Sequence, residues 1–243
     1  LTALPRTGKL DKPVWGTRMA SAVGKAPVSW SYTYWPSAQL SSNNRWLGRT
    51  TRSPLEKYDA AFNAAAGCEA QPDTTCGATA KGKWDAYFGC AGPAAKWHMK
   101  NFQSINQMFD GVNNDGKGGV DDCSSSDDEG PQGWWGLCHA WTPASLLEPE
   151  PQKAVTYGGQ TFEVADIKAL IVTVYDRTDA MMLGGRCNAE TITHDGTAKD
   201  ANTECMDVNP GALHVVLTNF LGLNDMAVIE DRTGSSEVWN QPL

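Results

Sequence analysis

Residues 131–141 read P-Q-G-W-W-G-L-C-H-A-W, a glycine-punctuated turn followed by a short apolar segment. The turn residues end before Leu137, and the apolar residues after it predict a short helix. Cys138 stands at the predicted start of this helix, where orphan backbone N–H groups and the helix dipole favour a thiolate. Gln132, six residues upstream, can offer a side-chain N–H to a developing oxyanion. Cys138 is therefore a candidate nucleophile, and a buried structural cysteine is the alternative.

The same segment resembles the active-site helix of papain-like cysteine enzymes, which reads Q-G-x-C-G-S-C-W-A-F. Q-G-W-W-G-L-C-H-A-W keeps the spacing from glutamine to cysteine, the glycine two residues before the cysteine, and the small and aromatic pair after it. By this resemblance Cys138 is the nucleophile and Gln132 the oxyanion donor. The sequence departs from the family at Trp135, which replaces a structural cysteine, and at Pro143. A proline there predicts a kinked helix, or one that begins only at Thr142.

The histidine expected to act as the base is His214, the polar residue of the apolar run G-A-L-H-V-V-L-T. Two apolar runs, 212–220 and 226–231, predict a β-hairpin. A two-residue turn between them places His214 opposite Asp231, close enough for the carboxylate to hold the imidazole in one tautomer. A surface histidine and aspartate at a hairpin edge are the alternative. The chain order Cys, His, Asp again resembles papain-like enzymes, and Asp in the third place resembles transglutaminases.

The resemblance to papain-like enzymes implies an α+β fold class. In such a core the nucleophile lies at a helix start that packs on an antiparallel sheet carrying His214 and Asp231. The predicted organisation is one catalytic domain over residues 1–243. Its parts are extended N-terminal arms, a helical part with the calcium loop and the nucleophile, and a sheet part with the histidine and aspartate, at 1–52, 53–151 and 152–243.

Local signals predict several elements outside the nucleophile segment. The predicted helices span 53–67, with Leu55, Tyr58 and Phe62 on the inward face, then 92–109, with Trp97 inward and His98 on the surface, and 164–175. Two glycines flanked by polar and β-prone residues predict a hairpin at 156–161.

The seven cysteines of the chain favour an oxidising compartment. The absence of a C-x-x-C pair from the sequence argues against a zinc ribbon or a thioredoxin-type redox site. Two disulfides are predicted because each would close a polar loop, a third follows by elimination, and Cys138 is the odd thiol. The predicted pairs are Cys68 with Cys76, Cys187 with Cys205, and, by elimination, Cys90 with Cys123.

An acidic segment precedes the nucleophile. Between residues 110 and 130, seven acidic residues and one basic residue give a net charge of −6, most of the −8 of the whole chain. Carboxylates in one segment repel one another, so this is either a calcium site or a solvated acidic loop. The spacing matches the first positions of a calcium loop, although Ser124 stands where an EF-hand has its bidentate glutamate. The predicted ligands are Asp110, Asn113, Asp115, Lys117 through its backbone oxygen, Asp121 and Asp122.

Composition excludes two classes of partner. The 20 basic residues are outnumbered by 28 acidic ones and form no basic block, so we expect no nucleic-acid partner. The longest apolar run, 169–175, is too short to span a bilayer, so we expect no membrane partner. The first residues lack a basic region followed by an apolar stretch, and we therefore expect that any signal peptide has been removed.

Residues 238–242, V-W-N-Q-P, resemble the start of the surface peptide by which plants recognise the oomycete cell-wall transglutaminase elicitors. S-P-L-E-K-Y-D-A-A-F, W-W-G-L-C-H-A-W and D-I-K-A-L are also similar to that family. In the family the peptide continues further, so this resemblance implies a nicked or truncated form ending at Leu243. A plant receptor contacting the region from Val238 to Pro242 is an implied partner.

The resemblance further implies a secreted, calcium-dependent protein-glutamine γ-glutamyltransferase, extracellular or in the cell wall, that cross-links glutamine to lysine in protein substrates. Amine transfer requires that water be kept from the acyl-enzyme, and Trp134, Trp135 and Trp141 could form such a wall. Ordinary core packing of these rings is the alternative. A papain-like cysteine endopeptidase and a non-enzymatic, calcium-stabilised cell-wall protein remain the other functions to be tested.

Overall fold

The computed structural model describes residues 29–72, 79–101, 111–113, 119–120, 135–178, 210–224, 228–231 and 240–242. For 80, 230–231 and 240–242 it describes the backbone alone. No candidate for a membrane span occurs among the helices of these residues.

The chain divides into two compact units. The first comprises Leu1–Trp30, Ser145–Pro149 and Thr178–Leu243, and the second comprises Ser31–Ala144 and Glu150–Arg177. Their limits differ from the part boundaries expected at 52 and 151, and the single catalytic domain stays a prediction.

Short helices and one hairpin make up most of the second unit. The observed elements largely agree with those predicted from local signals, except that helix α2 had no sequence-based counterpart. They are α1 (Pro54–Phe62), α2 (Ala80–Cys90), α3 (Pro93–Asn101), α4 (Cys138–Leu147), β1 (Val155–Tyr157), β2 (Gln160–Phe162) and α5 (Val164–Tyr175). The last three residues of α4, 145–147, belong to the first unit.

Helix α1 begins as its sequence predicts and buries Leu55 as expected, but it ends at Phe62 rather than at residue 67 and also buries charged side chains. Ser53 and Glu56 form a reciprocal capping box, with Pro54 in the first helical turn. The predicted inward residues Tyr58 and Phe62 are exposed, and their rings stack 4.7 Å apart. Apolar spacing alone could not reveal that charged side chains would find buried partners on the opposite face.

The charged side chains that α1 buries form ion pairs. Arg45 donates to both carboxylate oxygens of Glu56 at 2.7 and 2.8 Å, and both side chains are essentially inaccessible. Lys57 donates to Asp166 at 2.5 Å, which joins α1 to the first turn of α5. Removing one partner of such a pair would leave an uncompensated buried charge, so these pairs fix how the helices meet.

Helix α3 begins on a carboxylate supplied by α1. The two oxygens of Asp59 accept the backbone N–H groups of Ala94 and Ala95 at 2.8 and 2.9 Å. A Cβ at Gly92 would lie 2.4 Å from the Asp59 side chain, so the contact requires glycine. The last turn of α3 differs from the prediction in two ways. Trp97 is exposed rather than inward, and His98 is fully buried rather than on the surface.

The described disulfide links Cys68 to Cys90, with Cα atoms 5.3 Å apart. The predicted pairings of Cys68 with Cys76 and of Cys90 with Cys123 are therefore wrong. The polar loop between Cys68 and Cys76 misled the prediction, because the unpredicted helix α2 carries Cys90 back to Cys68. The four other predicted disulfide cysteines, Cys76, Cys123, Cys187 and Cys205, lie outside the described residues.

The segment before α1 was expected to form extended arms. Residues 29–52, its described part, instead contain two short 3-10 turns, Ser37–Gln39 and Ser41–Asn43. Leu40, between the turns, packs in the core with Trp84 of α2 and Met99 of α3. Residues 31–52 therefore belong to the second unit, and residues 1–28 lie outside the described residues.

The described part of the first unit contains a helix where a hairpin was predicted. Helix α6 (Pro210–Leu217) continues into a π-helical turn at Thr218–Leu223. Strand β3 (Ile229–Asp231) pairs instead with β4 (Asn240–Pro242), antiparallel, with Asp231 opposite Asn240. Proline at the first helical position fits a helix start, and a short apolar run does not by itself distinguish strand from buried helix.

Candidate active site

Cys138 is the first residue of α4, and its half-buried side chain is a thiol rather than half of a disulfide. The carbonyl of Leu137 accepts the N–H groups of Ala140 and Trp141 at 3.0 and 2.8 Å, which closes the first turn around the cysteine. The thiol is therefore placed beside the N–H groups of a helix start, an environment that stabilises a thiolate.

Pro143 does not delay the helix. Helix α4 begins at Cys138 and includes Pro143 in its interior, so the predicted alternative of a start at Thr142 is wrong. The hydroxyl of Thr142 donates to the carbonyl of Cys138 at 3.0 Å and satisfies one acceptor in this turn. The proline removes a single backbone donor, and the remainder of the short helix still forms.

The turn before Cys138 is held by backbone hydrogen bonds to a distant segment. Ser37 donates its backbone N–H to the carbonyl of Trp135 at 2.8 Å, and Leu137 donates to the carbonyl of Tyr34 at 2.7 Å. Between these bonds, a Cβ on Gly136 would lie 2.3 Å from the Tyr34 oxygen. The glycine thus permits two backbones to approach closely and fixes the direction in which the chain enters α4.

The other residues predicted near the thiol are only partly described. Trp135 is exposed and Trp141 is half-buried, so both retain accessible ring surface. Gln132 and Trp134 lie outside the described residues, and their roles stay predictions.

His139 makes a contact that the sequence did not predict. Its Nε2 lies 2.8 Å from an oxygen of Asp176, the residue that caps α5, and the other oxygen of Asp176 lies 3.2 Å from Arg177. Successive residues of a helix point about 100° apart, so the His139 ring is directed away from the neighbouring Cys138 side chain. The observed pair joins the start of α4 to the end of α5, next to the candidate nucleophile.

The hairpin argument that paired His214 with Asp231 is wrong. His214 lies on α6 and is exposed, whereas Asp231 lies on strand β3. A helical residue has no cross-strand partner, so the predicted register does not exist. The assignment of both residues to the catalytic set stays a prediction.

The predicted calcium ligands fall almost entirely outside the described residues. Asn113 is described; Asp110, Asp115, Lys117, Asp121 and Asp122 are not. Among the described residues, no group of three or more His, Cys, Asp or Glu side chains could hold a metal ion. Calcium binding therefore stays a prediction.

Comparison with known proteins gives two matches, which cover different shares of this chain. The family model described as transglutaminase elicitor matches residues 112–243. Among solved structures, the GP42 transglutaminase from Phytophthora sojae is 25% identical, with a TM-score of 0.48, over 89% of this chain and 52% of that chain. The chain thus spans about half the length of that protein. None of the curated proteins matches.

Proposed function

The chain belongs to the transglutaminase elicitor family, and from that premise we propose that it is a protein-glutamine γ-glutamyltransferase that cross-links glutamine to lysine. The matched range contains Cys138, His214 and Asp231. The observation that carries the proposal is the half-buried Cys138 thiol at the N-terminus of α4. A thiol in this position is suited to covalent acyl transfer.

In the proposed reaction the Cys138 thiolate attacks the carbon of a glutamine carboxamide. Gln132 donates a hydrogen bond to the developing oxyanion, and His214 delivers a proton to the departing nitrogen. The carbon–nitrogen bond breaks, a thioester forms and ammonia leaves. The neutral amine of a lysine then attacks the thioester carbon. His214 takes the proton that this nitrogen releases as the new amide forms, the carbon–sulfur bond breaks and the thiolate departs. Asp231 orients the imidazole of His214 through both steps.

Water competes with lysine for the thioester. Trp134, Trp135 and Trp141 would exclude it by covering the acyl-enzyme with apolar surface. The accessible rings of Trp135 and Trp141 beside the nucleophile segment support this role.

We assign calcium to the acidic segment that precedes the nucleophile. The ion would offset part of a local charge of −6 and thereby order the chain leading to Gln132 and Cys138. This assigns calcium to structure rather than to bond making. The ligands would be Asp110, Asn113, Asp115, the backbone oxygen of Lys117, Asp121 and Asp122.

We also propose that the protein is secreted or held in the cell wall and is recognised by a plant receptor. The Cys68–Cys90 disulfide supports an oxidising compartment. The proposed receptor contact is the region from Val238 to Pro242. Its last part, Asn240–Pro242, pairs as strand β4 with β3, and an extended backbone of this kind suits recognition as a peptide.

One assay distinguishes this function from its alternatives. A fluorescent primary amine and a glutamine-bearing protein are incubated with the enzyme, with and without calcium, while peptide cleavage is followed in parallel. We expect calcium-dependent amine incorporation without cleavage, and its loss in Cys138→Ala at an unchanged melting temperature. Cleavage without incorporation would identify an endopeptidase. Neither activity, under any calcium condition, would favour a non-enzymatic wall protein.

A further inference from the structure

A cleft of about 130 Å³ opens in the second unit, between the segment before α1 and the start of α5. Three aromatic rings line it, together with four uncharged polar side chains that can form hydrogen bonds. An engineered protein cavity of about 150 Å³ accepts benzene, so this cleft has room for roughly one six-membered ring. The lining residues that matter here are Tyr32, Trp35, Trp46, Gln39, Ser41 and Asn44.

The rings are held in place before any ligand arrives. The indole N–H of Trp46 donates to the buried carboxylate of Asp166 at 3.0 Å. The ring centroids of Tyr32 and Trp35 lie 5.5 Å apart, and the Lys168 ammonium lies 5.4 Å from the centroid of the Tyr32 ring. Rigid aromatic surfaces lose little conformational entropy on binding, which favours a preformed site.

The rings also reach the surface. Tyr32 and Trp46 are exposed at the mouth of the cleft, whereas Trp35 is buried. A ligand larger than one ring could therefore seat one unit inside and continue into solvent.

Backbone strain is concentrated at this cleft. Trp35 and Ser41, both in its lining, have positive φ angles of 47° and 52°, and Leu40 between them has 67°. Ala64 is the remaining non-glycine residue with positive φ within the described ranges. Non-glycine residues adopt this conformation at an energetic cost, and such strain recurs at ligand sites where the surrounding structure enforces it.

The lining also contains a buried hydroxyl group that forms no hydrogen bond within the described part of the chain. Ser41 is buried, and its hydroxyl has no hydrogen-bond partner among the residues that the structure describes. A buried hydroxyl normally pairs, so its position in the lining favours a ligand that donates or accepts a hydrogen bond there.

From these features we propose that the cleft binds one pyranose ring of an oligosaccharide. The C–H faces of a pyranose stack on aromatic rings, while its hydroxyls exchange hydrogen bonds with neutral amides and hydroxyls such as those of Asn44 and Ser41. The described lining contains no charged side chain, so an ammonium or carboxylate ligand would lose its hydration without gaining a counter-ion. The proposal is independent of acyl transfer.

The test is a binding titration of the full chain with laminarihexaose, cellohexaose and chitohexaose, followed by calorimetry and by saturation-transfer NMR. We expect at least one of these oligosaccharides to bind at a single site. Tyr32→Ala removes one stacking surface and should weaken binding about tenfold. Asn44→Ala, which keeps every ring, should also weaken it.

Tyr157→Ala is the matched control, because Tyr157 is an exposed tyrosine of the same unit outside the cleft. It should bind like the wild type. The proposal is overturned if none of the three oligosaccharides binds, or if Tyr32→Ala and Tyr157→Ala bind equally well. Binding of N-acetyl-lysine methylamide in place of the sugars would likewise overturn it and identify a cation site.

Discussion

The backbone N–H of Leu137 donates to the carbonyl of Tyr34 at 2.7 Å, across more than a hundred residues of sequence. The bond fixes the residue immediately before Cys138 to the segment that also forms the wall of the aromatic cleft. Because a helix start can present a thiol only if the preceding turn is rigid, this bond positions the candidate nucleophile.

Gly136→Ala should disrupt that arrangement. The new Cβ would lie 2.3 Å from the Tyr34 oxygen, so one of the two backbones must move. We expect a loss of unfolding free energy of about 2 kcal/mol or more, with a larger relative loss of amine incorporation. Gly89→Ala is the control, since a Cβ there meets nothing within 4 Å, and it should stabilise α2 by about 0.5 kcal/mol. Equal melting temperatures for the two variants would contradict the interpretation.

Elements with local signals were predicted well. The β1–β2 hairpin turns on Gly158 and Gly159 at φ 54° and 75°, values that glycine adopts without strain. Helix α5 spans the predicted Val164–Tyr175. Helix α6 was missed because its short apolar run satisfies strand and helix patterns alike, and neighbouring residues alone do not decide between them.

Peptide mapping without reduction tests the corrected disulfide. We expect one fragment linking Cys68 to Cys90, whose sequence separation is 22 residues. Changing both cysteines to alanine should lower stability by about 3 kcal/mol, because the unfolded chain regains the entropy of an open loop. Activity measured well below the melting temperature should persist, since neither residue is placed in the catalytic set. A fragment linking Cys90 to Cys123 would restore the original sequence-based pairing.

His98 should make stability fall in mild acid. Burial lowers the pKa of its imidazole from 6.5 to about 4, while Asn43 donates a hydrogen bond to its Nδ1 at 3.1 Å. The unfolded chain therefore takes up the proton first, and the stabilisation present above pH 6.5 is lost as the pH falls towards 4. The loss from this group should reach about 3 kcal/mol.

The comparison for that prediction is His98→Gln, which cannot titrate in this range. Urea unfolding of both proteins between pH 7 and pH 4 should give a steeper decline for the wild type. Parallel declines would show that other groups cause the acid sensitivity.

Contacts between distant elements limited the prediction of the site. The N-terminal position of Cys138 could be inferred, because glycines and an apolar run mark a helix start locally. The contact between His139 and Asp176 could not be inferred from the sequence, since it depends on how α4 packs against the end of α5. The same holds for His98, whose burial follows from packing against the segment that carries Asn43.

Variants of two histidines distinguish the proposed base, His214, from His139, the residue next to Cys138. His214→Ala should reduce amine incorporation by about 10² to 10⁴, the usual contribution of a general base. Asp231→Asn should be milder, because an amide can still orient the ring. His139→Ala should retain most of the activity and lose mainly stability, since His139 contacts Asp176. An active His214→Ala beside an inactive but folded His139→Ala would assign the base to His139.

Calcium should raise both the melting temperature and the activity by binding the folded state preferentially. At a hundredfold excess over the dissociation constant, a ligand specific for the folded state adds about 2.7 kcal/mol. Asp115→Ala removes a carboxylate from the centre of the proposed ligand set and should abolish both effects. Glu69→Ala, which removes an exposed carboxylate elsewhere, should leave both effects unchanged. If calorimetry detects no bound calcium, or if Asp115→Ala keeps its full calcium response, the acidic segment is a solvated loop and the metal assignment is wrong.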